Sequence, residues 1–299
     1  MCCAPIARRG SASRTAHPGE RADEARALVR RELARKPDYI KVWFIYRFAG
    51  DLTAQEGIVK ATADEAHAAG VPLAVHATQL ATAKAALRAG ADYLVHSVDD
   101  SPVDDEFLQL ARARRIVYCP TLFVHEGYQY ALSNRWKPTA PESRLADPQI
   151  LATMDDLNRM PREVVPGRVA NLMANPTPVT VPEAAMRNVR TVWDAGIPVA
   201  MGTDAGNIGT LHGPSVFREM ALMQEAGLTP LEVLRSATVN GAKAARREGD
   251  LGAIEPGRLA DLVILDDDPL RDSANLSHIR RVIKDGIVFD PIELMRSIQ

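Results

Sequence analysis

Two apolar runs, Val71-Pro72-Leu73-Ala74-Val75-His76 and Ala91-Asp92-Tyr93-Leu94-Val95-His96, decide the reading of this chain. Each is too short for a helix, is rich in Val and Leu, and ends on a histidine. That is the pattern of a buried parallel strand. Between them, residues 78–89 are rich in alanine, and Gly90 follows as a C-cap. The spacing predicts a strand–helix–strand unit with a histidine at the C-terminal tip of each strand. In parallel α/β folds, ligands sit at those tips.

The same rhythm extends outward. Ala69-Gly70, Ala89-Gly90 and Ala195-Gly196 each end a helical pattern, and the strands that follow finish on His76, His96 and Asp204. Residues 39–46 read as a further strand with Lys41 inside it, where an ammonium needs a partner. Helices are predicted over 21–36, over 53–69 with Thr53 as N-cap and Glu56 three residues on, and over 102–115. A strand over 115–122 follows. Residues 123–182 hold eight prolines, with helical pieces around 151–160 and 165–173, and their length suits a lid. A helix over 182–195, a strand over 197–204 and helices over 215–226 and 229–247 complete the array. The expected domains are a disordered segment 1–20, a partial (β/α) barrel 21–248, and a small sandwich-like β element 249–299 turning at Asp285-Gly286.

Composition narrows the function. A hydrophobic content of 46% over 299 residues supports a sizeable core, and a net charge of −2 offers nothing to nucleic acid or anionic lipid. Three cysteines make no disulfide framework and fit a reducing, cytoplasmic setting. No apolar run suits a membrane span.

Lys41, His76, His96 and Asp204 fall at or near four strand ends. Imidazole and carboxylate suit zinc, and also manganese, iron or nickel. A divalent ion would activate water and polarise a carbonyl, and Asp204 could take the proton. Each residue also has a plain structural explanation. A strand-tip histidine is often a hydrogen-bonded core residue, Asp204 suits a turn or a helix cap, and Lys41 can extend to a strand end. Four ionisable tips in one array favour a shared site. His125, His212 and Arg47 follow strand ends and are candidate substrate contacts, with solvated loop positions as the alternative.

The motifs Asp38-Tyr39-Ile40-Lys41-Val42-Trp43, Val75-His76-Ala77, Val95-His96-Ser97, Pro120-Thr121-Leu122 and Gly202-Thr203-Asp204-Ala205-Gly206 occur in the order found in the amidohydrolase superfamily. The chain resembles its imidazolonepropionase and prolidase-like branch from about residue 25 to 290. The tail, Ala237-Thr238-Val239-Asn240-Gly241-Ala242 and Gly252 to Val263, is similar too. The resemblance implies a metal-dependent hydrolase of amide C–N bonds in a small-molecule substrate. It implies that Lys41 is carboxylated and bridges two metals, that His76 and His96 bind the second, and that Asp204 binds the first and accepts the proton.

The family's first barrel strand carries a His-x-His pair, and none occurs here. The five strands expected correspond to barrel strands four to eight, so the fold expected is an incomplete TIM barrel, N-terminally truncated. The strand holding Lys41 would then leave an open edge, which a homo-oligomer would cover. Two competing readings follow: an inactive remnant lacking that strand, and a Schiff-base lyase with Lys41 as nucleophile.

Overall fold

The computed structural model describes residues 18–45 and 52–298. The chain runs α1 (Pro18–Leu33), β1 (Ile40–Trp43), α2 (Leu52–Ala68), β2 (Leu73–His76), α3 (Leu80–Ala89), β3 (Tyr93–Val95), α4 (Asp105–Arg114) and β4 (Val117–Cys119). Short helices follow: α5 (Phe123–Leu132), α6 (Ala140–Leu145), α7 (Pro148–Thr153), α8 (Asp156–Arg159) and α9 (Gly167–Ala174). Then come α10 (Glu183–Asp194), α11 (Ser215–Glu225), α12 (Pro230–Ala237) and α13 (Val239–Ala244). The strands β5 (Leu262–Leu265), β6 (Ile279–Lys284) and β7 (Ile287–Phe289) precede a last helix, α14 (Pro291–Ile298). The chain divides into two units. One runs through Pro120 and takes in Glu183–Val199; the other is Thr121–Pro182 with Ala200–Gln299.

In the first unit, β1 to β4 form a parallel sheet in sequence order. Helices α2, α3 and α4 are its crossovers. Gly70 and Gly90 close α2 and α3 at φ 72° and 113°, a conformation that costs glycine little. One face of the sheet is apolar and wholly buried: Ile40, Val42, Leu73, Val75, Leu94 and Tyr118. The opposite face carries Lys41, Trp43, His76 and Cys119, all at least partly accessible. Strand alternation therefore sorts the core from the chemistry.

Several expectations are corrected. Helix α1 begins at Pro18, so residues 18–20 are helical, while 1–17 lie outside the described residues. Thr53 falls inside the first turn of α2 rather than at its cap. Helix α4 is shorter than predicted because Asp104, accepting from the Phe107 N–H, caps it after Pro102. The strand expected over 197–204 shrinks to one parallel bridge, Val199 to Tyr118. Pro198 has no N–H to continue a ladder, though its carbonyl accepts from the Tyr118 N–H at 2.9 Å.

In the second unit, the helix predicted over 229–247 breaks in two at Thr238, where φ is −116° and ψ −82°. It starts at Pro230, with Thr229 as N-cap forming a capping box with Glu232. The pieces expected around 151–160 and 165–173 appear as α7, α8 and α9. Strands β5, β6 and β7 make one antiparallel sheet of three strands, a single layer among the described residues rather than a sandwich. The β6–β7 turn is Asp285-Gly286, both at positive φ, the type I′ geometry that matches strand twist.

Candidate active site

The open face of the first unit gathers three of the sequence candidates. In β1, Lys41 pairs in register with Ala74 and Trp43 with His76. In β2, His76 pairs with Val95. His96 is the next residue, just past the end of β3. The rings of His76 and His96 lie 4.6 Å apart, edge to face at 66°. The Trp43 ring is 6.2 Å from His76 on the other side and is 55% exposed.

Burial first, and then the positive charge of Lys41, push the His76 imidazole down to about 4. It is neutral at pH 7, the form that ligates a metal. His96 is buried and has φ 74°. Its N–H donates to the Cys119 carbonyl at 2.9 Å, and the Ser97 N–H donates to that of Pro120 at 2.8 Å. Pairing with the neighbouring strand thus carries on through a left-handed residue and holds the ring at the strand tip.

Behind His96 the backbone is tied by buried polar side chains. The Tyr118 hydroxyl accepts from the Val98 N–H and donates to Ser97 Oγ, both at 3.0 Å. Burial pushes that phenol up to about 12. Asn188, on α10, accepts from the Val103 N–H and donates to the carbonyls of Val98 and Ser101, each at 2.9 Å.

Asp204 belongs to the second unit and also sits at positive φ, 51°. Asn207 Nδ2 donates to its carboxylate at 3.0 Å, and its carbonyl accepts from the Asn207 N–H and Thr210 Oγ1. His212 is exposed beside this loop. A Cβ on Gly206 would stand 3.0 Å from His212 Nε2, a contact the exposed ring can relieve, while the φ of 89° favours glycine. His125 lies in the first turn of α5 rather than in a loop, and burial lowers its pKa. Arg47 lies outside the described residues.

The structure therefore brings Lys41, His76 and His96 to one face of the first unit and places Asp204 in the second. Among the described residues, no three His, Cys, Asp or Glu are arranged to hold a metal ion. Two adjacent imidazoles, one of them held neutral, nevertheless fit the nitrogen donors of a divalent cation. Three contributing residues are not among the sequence candidates. Tyr118 and Asn188 reach partners 20 to 90 residues away, and Asn207 stands only three residues past Asp204, where a local polar contact was open to discovery.

The comparisons with known proteins agree with this architecture. The model of the amidohydrolase family matches residues 5–288. The chain belongs to that family, and its parallel sheet with crossover helices follows the family's TIM-barrel-like α/β fold. Imidazolonepropionase of Shouchella clausii is 36% identical over 105 residues, 34% of this chain and 21% of that protein. The Geobacillus sp. imidazolonepropionase is 32% identical over 148 residues, 48% of this chain and 33% of that protein. Among solved structures, a Xaa-Pro dipeptidase with bound methionine superposes with a TM-score of 0.63 at 25% identity, covering 94% of this chain and 63% of that one. A putative prolidase from Bifidobacterium longum gives 0.64 at 25% identity, covering 90% and 59%. The chain thus spans less than two thirds of each of these relatives.

Proposed function

We propose that this protein is a metal-dependent hydrolase of amide C–N bonds. The observation that carries the reading is the His76–His96 pair at neighbouring strand tips, with Lys41 on the same face. The names of its relatives point to cyclic amides and dipeptides as the substrate class. The reading assigns β1–β4 to strands four to seven of a barrel and the segment around Val199 to the eighth.

A divalent cation, zinc by donor preference with manganese, iron or nickel as alternatives, would supply Lewis acidity and lower the pKa of water to about 7. His76 and His96 would hold it through nitrogen, and Lys41, if carboxylated, would offer an oxygen donor. Asp204 is assigned as general base from the resemblance of its Gly202–Gly206 segment. It takes one proton from the attacking water as the new C–O bond forms at the carbonyl carbon. It returns that proton to the nitrogen as the C–N bond breaks, and the second water proton leaves with the carboxylic acid product.

Metal analysis of the purified full chain tests the proposal. The wild type should retain zinc, manganese, iron or nickel after dialysis, and His76→Ala and His96→Ala should each lose most of it. No metal in the wild type, or equal content in all three proteins, would refute the assignment.

A further inference from the structure

We propose that Asn188, on α10, is a positioning residue that sets the spacing of His76 and His96 through the loop 97–103. The inference rests on the reading of those two histidines given above. Helix α10 belongs to the same unit as the parallel sheet. It buries Ala185, Val189 and Val192, and Asn188 stands among them, fully buried. An amide in that place is costly unless its polar atoms find partners. Asn188 Oδ1 accepts from the Val103 N–H, and Nδ2 donates to the carbonyls of Val98 and Ser101. A backbone N–H can only donate, so the amide has one orientation. All three bonds go to the loop that follows His96, and they hold it near both of its ends.

From this loop, hydrogen bonds run to both histidine strands. On the His96 side, a buried chain passes from the Val98 N–H to the Tyr118 hydroxyl, then to Ser97 Oγ, and on to the Ala185 carbonyl at 3.2 Å. It ends on α10 again, one turn before Asn188. On the His76 side, the Asp99 N–H donates to the Thr78 carbonyl at 2.8 Å. Asp100 Oδ1 accepts from the Leu80 N–H at 2.9 Å, at the start of α3. Thr78 stands two residues past His76. The ladder between β2 and β3 ends with His76 opposite Val95. Beyond it, the loop joins one strand tip to the other, and Asn188 holds the loop.

The test is the nuclear Overhauser cross-peak between the His76 and His96 rings, recorded on the metal-free full chain with labelled histidine. His76→Ala and His96→Ala assign the two rings. The wild type should show the cross-peak, since the rings lie 4.6 Å apart. Asn188→Ala should lose it while the backbone amide spectrum stays that of a folded chain. Asp100→Ala, at an exposed position, cuts only the link to α3 and should weaken the peak less. Ile58→Ala, which opens a cavity at a buried position of α2, should lower the melting temperature and leave the peak unchanged. A wild-type peak in Asn188→Ala overturns the proposal, and so does one in Asp100→Ala if Asn188→Ala does not fold. Equal loss in Ile58→Ala overturns it as well. Zn²⁺ affinity, measured separately by chelator competition, should fall about tenfold or more in Asn188→Ala. A lost peak with unchanged Zn²⁺ affinity keeps Asn188 as the spacing residue and removes the two histidines from the metal site instead.

Discussion

The imidazoles of His76 and His96 stand edge to face, 4.6 Å apart, at the ends of adjacent parallel strands. His76 pairs in register with Val95, so His96 stands one residue beyond the end of the neighbouring strand. His76 ends its strand in extended backbone, whereas His96 takes a left-handed conformation one residue past its own. A non-glycine residue in that region costs roughly 1–2 kcal/mol, and such residues concentrate at functional sites. Thr121 and Asp204, after later strand-like segments, share the feature at φ 47° and 51°.

Tyr118→Phe should be destabilising although it removes one oxygen. The Val98 N–H would lose its buried acceptor, and a group so stranded costs about 1–3 kcal/mol. Zn²⁺ affinity should fall with stability, because Ser97 and Val98 follow His96 directly. Thermal melting and chelator competition on the same sample check this, and a melting temperature equal to wild type would contradict it.

Gly209→Ala should damage the protein far more than Gly127→Ala. At Gly209 the new methyl meets backbone at 2.2 Å and φ is 78°, whereas at Gly127 the nearest atom is 3.1 Å away. The first cannot be relieved by a side-chain rotation, so a loss above about 2 kcal/mol is expected. Urea unfolding of the two variants decides the matter, and equal midpoints would argue against the backbone contact.

Glu219 links stability to pH. Burial, with the Glu126 carboxylate adding to it, pushes its carboxyl up to about 7, against the N–H groups of Phe123 and Leu122 and the charge of Arg218. Its ordinary value is 4.5. The native state therefore holds a proton that the unfolded chain has released between these values. Stability from this group is full below pH 4.5 and declines as pH rises to about 7. The decline is on the order of 3 kcal/mol. Glu219→Gln removes the titration but offers a single acceptor oxygen to two N–H groups. It should be less stable than wild type near pH 5, and the gap should narrow by pH 8. Unfolding curves for the two proteins that stay parallel across this range would refute the account.

Short-range order was legible in the residues themselves. The apolar runs ending at His76 and His96, the glycine caps at Gly70, Gly90 and Gly196 and the Asp285-Gly286 turn all depend on neighbours within a few positions. Each appears where it was read. The placement of Lys41 and His76 on one face follows from strand alternation and parallel register, which local patterns also encode, whereas His96 lies past the end of its strand at positive φ and meets His76 outside that alternation. Tertiary structure alone decided the rest. The strand expected at 197–204 keeps only the bridge from Val199 to Tyr118, and the helix expected across Thr238 breaks. Glu219 meets the start of α5 across 97 residues and Tyr128 meets Asn207 across 79. A hydrogen bond between distant positions leaves no periodicity behind, because its geometry exists only once the intervening elements have packed.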